Sequence, residues 1–255
     1  MIVFDDVYKA FGDRVVLAGF SLEIPDHETT VIIGASGSGK SVALKHIVRL
    51  LSPDSGRVLV DGADVALLDR LDLAALRGRI GFVFQSAALF DSLTVAGNIR
   101  LGLARRGLDQ ATIDRRVAWS LDMVELSDAG PRMPAELSGG MRKRAGIARA
   151  IALHPQYILY DEPTTGLDPV TAAVMNALMI RVRQELDTTG VVVTHDMASA
   201  YQVGDRIAML HEGTVRQVGT VDQIRHSADP VVRRFVEGRA EALAAPHPAA
   251  GGDVR

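Results

Sequence analysis

The feature that most constrains the fold is the stretch "VIIGASGSGKS" at residues 31–41, where a buried-type strand run leads into glycines, serines and one lysine. The apolar spacing after Lys40 predicts a helix. Between a strand and a helix, a Gly-x-x-x-x-Gly-Lys-Ser loop is typical of phosphate binding, because glycines let backbone N–H groups approach the oxygens. A glycine-rich turn without a ligand is the alternative, and it is disfavoured because all the anchors fall in register. The stretch therefore predicts an α/β nucleotide-binding fold.

Within this loop, Lys40 is predicted to place its charge on the β and γ phosphates of a nucleoside triphosphate, and Ser41 to offer its hydroxyl to Mg²⁺. The helix after the loop points its positive end at the same anion. The residues predicted to line the phosphates are Gly34, Ala35, Ser36, Gly37, Ser38, Gly39, Lys40, Ser41 and Val42.

A second pattern, "YILYDEPTTGLD" at residues 157–168, predicts a buried strand that delivers two carboxylates to the edge of the sheet. Asp161 is placed to support Mg²⁺. Glu162 is suited to polarise an attacking water. The alternative, two solvated acids that cap the next helix, is weak once a phosphate-binding loop precedes them.

A third pattern, "LSGGMRKRAGIARAIA", predicts a helix that begins near Met141 and is capped by Ser138, with its first N–H groups uncovered by Gly139 and Gly140. A triphosphate held by the first loop has little room for this second anion-binding turn, so we expect the turn to close over nucleotide bound to another copy. The alternative is a capped helix with a solvated basic face, formed by Arg142, Lys143, Arg144 and Arg149.

Composition excludes several classes. The chain has 255 residues, of which 47% are hydrophobic, a net charge of -3 and no cysteine, so disulfide frameworks and thiolate chemistry are excluded. Nucleic-acid binding is not expected, because the chain is net acidic and its basic cluster lacks interleaved aromatic residues. No signal peptide and no membrane-spanning run are predicted. Strand-type runs dominate up to about residue 85 and again at 157–218, with helical spacing between them.

Together these patterns resemble the ATP-binding cassette (ABC) ATPases over Ile2 to Val221. Further motifs that carry the resemblance are Gln85 in "FVFQSAALF", Asp168 ending "GLD", and His195 in "VVVTHD". The family fold implied is α/β: a P-loop NTPase with a RecA-like core sheet, an N-terminal antiparallel β subdomain and an inserted α-helical subdomain. The implied ATPase domain spans residues 1–225, with the helical subdomain at about 89–154 and the core and β subdomain at about 1–88 and 155–225. A C-terminal helix and a flexible Ala/Pro/Gly tail are expected at 226–255.

The resemblance implies that two such domains face head to tail and enclose two ATP molecules with Mg²⁺. Ser138, Gly139 and Gly140 would then contact the γ-phosphate held by the other copy, and Asp168 would join the nucleotide-binding residues. In the family the glutamate at the position of Glu162 is catalytic.

The remaining implied roles each have a structural alternative. His195 would contact the γ-phosphate, or else cap a helix. Gln85 would reach Mg²⁺ and the attacking water, or else be an ordinary loop amide. Phe11 would stack on adenine, or else be a core aromatic. With Lys40 and Glu162, His195 and Gln85 complete the predicted catalytic set, and the predicted metal ligands are Ser41, Gln85 and Asp161.

A finer resemblance rests on two features. The first is Met141, which replaces the glutamine usual in the family's signature motif, here "LSGGM", together with the stretches "MPAELSGGMRKRAGIARAIA", "FVFQSAALFDSLTV" and "LYDEPTTGLDPVT"; the second is "SADPVVRRFVEG" near the C-terminus. Both are similar to the branch of MlaF-like ATPases that serve Mce-type phospholipid transporters. That branch implies an integral membrane permease (MlaE-like), an Mce-domain protein, a small STAS-type accessory subunit, and a location on the cytoplasmic face of the bacterial inner membrane. An importer of amino acids, metals or other solutes is the alternative. A non-transport ABC protein is disfavoured, because those usually carry two cassettes or a long coiled-coil insert.

The apolar residues that follow Gln85 have two interpretations. Leu89, Phe90 and Leu93 are predicted either to line a groove for a permease helix or to belong to the core of the helical lobe.

Overall fold

The computed structural model describes residues 1–238, which form ten strands in two sheets and nine α-helices. The strands are β1 (Ile2–Phe11), β2 (Arg14–Ile24), β3 (Thr29–Ile33), β4 (Ser55–Val60), β5 (Ala63–Asp64), β6 (Ile80–Val83), β7 (Tyr157–Asp161), β8 (Thr189–Thr194), β9 (Arg206–His211) and β10 (Thr214–Thr220). The helices are α1 (Lys40–Ile47), α2 (Arg70–Arg77), α3 (Val95–Ala104), α4 (Gln110–Met123), α5 (Gly139–Ile151), α6 (Pro169–Leu186), α7 (Met197–Val203), α8 (Val221–Arg225) and α9 (Pro230–Val236).

The N-terminal strands form a four-stranded antiparallel sheet in the order β2-β1-β4-β5. Burial alternates along the first residues of β1, so Ile2 and Phe4 face inwards while Val3 and Asp5 are more accessible. Phe4 meets Phe20 of β2 edge to face, with ring centroids 5.0 Å apart. This sheet is the predicted antiparallel β subdomain.

The second sheet has six strands in the order β10-β9-β3-β8-β7-β6, all parallel except β10. Its central strands β3, β7 and β8 are buried along their whole length, which explains their nearly continuous apolar runs. Successive side chains of β3 point to opposite faces: Val31 and Ile33 join the core on the helical side, and Ile32 joins the core under the antiparallel sheet. Strands from both ends of the sequence complete one sheet, as predicted.

Between β6 and β7 the chain is helical, comprising α3, α4, α5 and two short 3₁₀ turns. Ile99, Leu121 and Ile147 bring α3, α4 and α5 together in one core. This segment is the predicted helical insert. One detail of the prediction is wrong: α5 begins at Gly139 rather than near Met141, because the Ser138 side chain caps the helix by accepting a hydrogen bond from the N–H of Met141.

The C-terminal helix α9 is capped by Asp229 and ends at Val236. The predicted flexible tail lies outside the described residues. Within residues 1–238, no helix combines the length and the apolar character that crossing a bilayer requires.

Candidate nucleotide-binding site

Three parallel strands bring the predicted phosphate loop and the predicted carboxylates to one edge of the sheet. Ile33, the last residue of β3, pairs with Thr194 at the end of β8, and Asp161 at the end of β7 pairs with Val193. The residues that follow these ends therefore lie side by side. Carboxyl ends of strands are where open α/β sheets place their ligands.

The loop from Gly34 to Gly39 needs glycine at its two ends. Gly34 has φ +156° and a Cβ there would lie 2.5 Å from the carbonyl oxygen of Leu210, so only a bare Cα fits. Gly39 precedes α1 in the left-handed conformation, with φ +107°. Between them, Ser38 Oγ is buried and has no hydrogen-bond partner within the described chain. An orphaned hydroxyl in a loop of this shape fits a group that accepts hydrogen bonds, such as a phosphate oxygen.

Lys40, the first residue of α1, is held inside the loop and is only 5% exposed. Its Nζ donates to the carbonyls of Gly34 at 2.8 Å and Ala35 at 3.0 Å, and lies 3.7 Å from Glu162 Oε1. Burial lowers the pKa of Lys40, and the attraction of Glu162 partly opposes this shift. The ammonium is therefore positioned by the loop's own carbonyls.

Two of the three predicted magnesium ligands, Ser41 and Asp161, lie together beside the loop, and the third, Gln85, lines the cavity described below. Ser41 Oγ donates to Asp161 Oδ1 at 2.6 Å. Asp161 and Glu162 are 6% and 8% exposed, and the helix after them is capped by Asp168, so the interpretation of two solvated capping acids is wrong. One carboxylate and one hydroxyl fit Mg²⁺, which usually takes one or two carboxylates and completes its shell with water and substrate phosphate.

Glu162 is placed by contacts on both carboxylate oxygens and has an unusual backbone. Its Oε1 faces Lys40, while Oε2 accepts a hydrogen bond from Thr165 Oγ1 at 2.9 Å and lies 2.9 Å from His195 Nδ1. Its φ is +50°, in the left-handed region that non-glycine residues rarely adopt. His195 is not a helix cap, because Asp196 caps α7.

These groups surround a cavity of about 630 Å³. Its lining residues are Phe11, Arg14, Val16, Ser36, Gly37, Gly39, Lys40, Ser41, Val42, Gln85, Glu162, Thr165 and His195. Phe11 is 47% exposed here, so its interpretation as a core aromatic is wrong, although its stacking role stays a prediction. Sequence reasoning missed Arg14, which donates to the carbonyl of Gly37 at 2.9 Å, and Thr165. A hydroxyl three residues after Glu162 was the signal available for Thr165.

The second predicted anion-binding turn, Ser138 to Gly140, is called the signature turn below. It lies at a separate cavity of about 540 Å³, whose lining includes Ser138, Gly139, Gly140 and Asp168. No residue lines both cavities. The structure therefore does not bring these four predicted nucleotide contacts to the phosphate loop of their own chain. Ser138 Oγ accepts from the N–H of Met141 at 3.2 Å and thereby caps α5.

The two signature glycines have different surroundings. A Cβ on Gly140 would lie 2.7 Å from Thr171 Cγ2 at the start of α6, whereas a Cβ on Gly139 would meet nothing within 4 Å. Asp168 caps α6 and accepts a hydrogen bond from Thr171 Oγ1, which lowers the pKa of its carboxyl group. Gly140 thus has a packing role within the chain that sequence reasoning missed.

The basic residues of α5 form a solvated face only in part, since Arg142 is exposed but Lys143, Arg144 and Arg149 are partly buried. Arg142 donates to the carbonyl of Leu137, and Arg144 to those of Val124 and Glu125. Arg149 reaches two carbonyls of the segment after Gln85, and burial lowers its pKa. These cations bind backbone carbonyls of neighbouring segments.

The segment after Gln85 is organised by a buried asparagine that the sequence analysis did not identify. The Asn98 side chain accepts from the N–H of Phe90 and donates to the carbonyls of Phe90, Leu93 and Thr94. Leu89 packs against the helical core, but Phe90 is 53% exposed. The two interpretations of this apolar cluster thus apply to different residues, and docking stays a prediction for Phe90.

Comparison with known proteins gives the same family from several directions. A family model described as "ABC transporter" matches residues 17–165. The chain is 42% identical over 241 residues to the methionine import ATP-binding protein MetN of Xylella fastidiosa, covering 92% of this chain and 72% of that protein. It is 40% identical over 237 residues to the sulfate/thiosulfate import ATP-binding protein CysA of a Synechocystis species, covering 92% of this chain and 65% of that protein.

Solved structures agree in fold. The ATP-binding cassette MJ0796, in a dimeric post-hydrolysis state bound to ADP and Pi, matches with a TM-score of 0.79 and 35% identity, covering 87% of this chain and 99% of that one. CbiO1 of Clostridium perfringens, part of an ABC transporter complex, matches with a TM-score of 0.81 and 29% identity, covering 93% and 94%.

Proposed function

Because this chain belongs to the ABC transporter ATPases, we propose that it hydrolyses ATP as a pair of copies and energises a solute importer. The observation that carries the paired arrangement is the separation of two anion-binding turns into cavities that share no residue. A second copy in the opposite orientation is the simplest way to bring both turns to one triphosphate. The dimeric state of MJ0796 bound to ADP and Pi supports this proposal.

In the proposed reaction, a water molecule attacks the γ-phosphorus, the bond to the β-phosphate oxygen breaks, and ADP and phosphate leave. Glu162 accepts the proton of that water, since its carboxylate is buried and aimed into the cavity. Lys40 and His195 stabilise the charge that develops on the transferred group. Mg²⁺ held by Ser41 and Asp161 would neutralise phosphate charge, with Gln85 at the same cavity.

The cargo class is argued from the relatives. These relatives are named for import of methionine and of sulfate or thiosulfate, and this favours the solute-importer alternative over the lipid branch. Phospholipid transport is the second candidate. It rests on Met141 in the signature and on the segment at 227–238, and it would bring MlaE-like, Mce-domain and STAS-type partners. In both cases we propose a peripheral location on the cytoplasmic face of the inner membrane, docked on a permease.

The experiment is to purify the complex through this subunit from its native membrane, identify the other subunits, and measure ATPase activity in liposomes. For an importer, a solute-binding protein loaded with methionine or sulfate should raise the activity several-fold. An Mce-domain subunit with co-purified phospholipid would instead establish the lipid branch. Recovery without any membrane subunit would contradict the transport role.

A further inference from the structure

Lys143 lies on α5, the helix that starts at the signature turn, but its ammonium group reaches the segment that follows β7. Nζ donates to the carbonyls of Glu162 at 3.3 Å, Pro163 at 2.9 Å and Thr165 at 2.6 Å. An ammonium has three N–H donors, so these acceptors use all of them. Burial lowers the pKa of Lys143, and the attraction of Glu162 opposes this shift. The side chain is thus committed to this one turn.

That turn carries the strained residue of the site. The Glu162 carbonyl, which also accepts the N–H of Thr165 at 3.3 Å, belongs to a residue with φ +50°. Left-handed conformations of bulky residues persist only where the surroundings hold them. The same backbone aims the Glu162 carboxylate at Lys40 and His195. A cation bound to three carbonyl groups of the turn is the kind of support that this conformation requires.

We propose that Lys143 is a positioning residue for ATP hydrolysis, which holds the Glu162 turn from the signature helix of the same chain. The inference rests on the proposed role of Glu162. It also has a consequence for the pair of copies. The N-terminus of α5 would contact the nucleotide of the other copy, while Lys143 of the same helix bonds to the turn that carries Glu162 of its own copy. Lys143 lines neither of the two cavities, and its role would be exerted through the backbone of 162–165.

The test is Lys143→Met in the full-length protein, because methionine keeps the aliphatic stem and removes the donors. The turnover number for ATP should fall about 10- to 100-fold, since charged hydrogen bonds of this kind are lost. The KM and the affinity for ATP should stay within about twofold, because Lys40 and its loop are untouched. Lys143→Arg, which keeps a multi-donor cation, should retain most of the turnover.

The matched control is Arg49→Met. Arg49 Nη1 also donates to three carbonyls, those of Val65, Ala66 and Leu68, at 3.2, 3.4 and 2.6 Å, but these line neither of the two cavities. Its loss should lower the thermal midpoint of unfolding without changing the turnover number per folded molecule. Equal losses of turnover in both variants would overturn the proposal, and so would a Lys143→Met enzyme with normal turnover.

Two further variants keep the result readable. If Lys143→Met does not fold, Lys143→Gln retains a shorter neutral donor and should give intermediate turnover at unchanged KM; full turnover there would count against the proposal. Glu162→Gln separates the two levels of inference. If Glu162→Gln hydrolyses ATP at the normal rate, the proposed role of Glu162 itself is wrong. If Glu162→Gln is inactive but Lys143→Met keeps normal turnover, only the positioning role of Lys143 is rejected.

Discussion

The two turns proposed to bind phosphate differ in how they are held. The phosphate loop is closed on its own groups, with Lys40 bound to loop carbonyls and Ser41 to Asp161. The signature turn is open: Gly139 faces free space, and its only side-chain cap is Ser138. The first turn is held by contacts within one chain, while the second is an open helix start, which in the proposed pair would contact nucleotide bound to the other copy. Mutations should therefore separate nucleotide binding from pairing.

The largest effect on ATP hydrolysis is expected from a change of Glu162, beside the phosphate loop. Glu162→Gln should lower the rate of ATP hydrolysis about 10²- to 10⁴-fold, or about 3 to 5 kcal/mol of barrier, because it removes the general base. ATP binding should persist and trap a dimer, visible by light scattering with Mg-ATP. Glu185→Gln, on the exposed side of α6, is the control. A Glu162→Gln protein that stays monomeric with bound ATP would show that the phosphate loop of one copy and the signature turn of another do not enclose ATP together.

The next effect concerns binding to a single chain. Lys40→Ala should weaken ATP affinity about 10- to 100-fold, as expected for losing charge-assisted hydrogen bonds to phosphate. Equilibrium titration with a fluorescent ATP analogue measures it. Lys45→Ala, further along α1 and outside the cavity, should bind normally. Unchanged ATP affinity in the Lys40 variant would mean that the loop at 34–41 does not bind the phosphates.

The two signature glycines should differ in their effect on stability. Gly140→Ala should lower the free energy of unfolding by about 1 to 2 kcal/mol, because its Cβ would lie 2.7 Å from Thr171 Cγ2. Gly139→Ala enters open space and should change stability by less than about 0.5 kcal/mol. Urea unfolding of both variants makes the comparison. Equal losses would contradict the packing role assigned to Gly140.

Gly139 also allows a test of pairing without disturbing the chain. Gly139→Glu should leave ATP affinity unchanged but weaken the ATP-dependent dimer about tenfold or more, because a carboxylate would face the partner's γ-phosphate. Gly139→Ala should dimerise normally. Both are measured in the Glu162→Gln background. A dimer that tolerates the glutamate would place the open turn away from the nucleotide.

The smallest effect is a pH dependence of folding stability that involves Asp168, beside the signature turn. The Thr171 hydroxyl holds the pKa of Asp168 below its ordinary value of 3.8, so this bond stabilises the folded state above that pH and is lost as the pH falls through the folded pKa. Thr171→Val should therefore be less stable than the parent at pH 7, and the difference should shrink below pH 3.8. Thr112→Val, which removes the same bond to Asp109 in α4, should show the same trend. A difference independent of pH would assign the effect to packing.

Some features of the site could be predicted from the sequence and others could not, for a physical reason. The phosphate loop and the strand before Asp161 are local patterns, in which period, glycine spacing and a terminal charge are all visible in the chain. The contacts of Arg14 and Lys143 join segments distant in sequence, and they end on backbone carbonyls, which every residue possesses. Nothing in the residue type of the acceptor marks such a partner in advance.

By itself, the sequence determined the family, the order of strands and helices around the loop at 34–41, and the residue types that meet at the edge of the sheet, because these depend on short-range spacing and on alternating burial. Only the three-dimensional packing showed that Gly140 packs against α6 and that Lys143 binds carbonyls of the Glu162 turn. Those features depend on how the helical insert packs against the core, and packing brings together atoms whose separation along the chain carries no local signal.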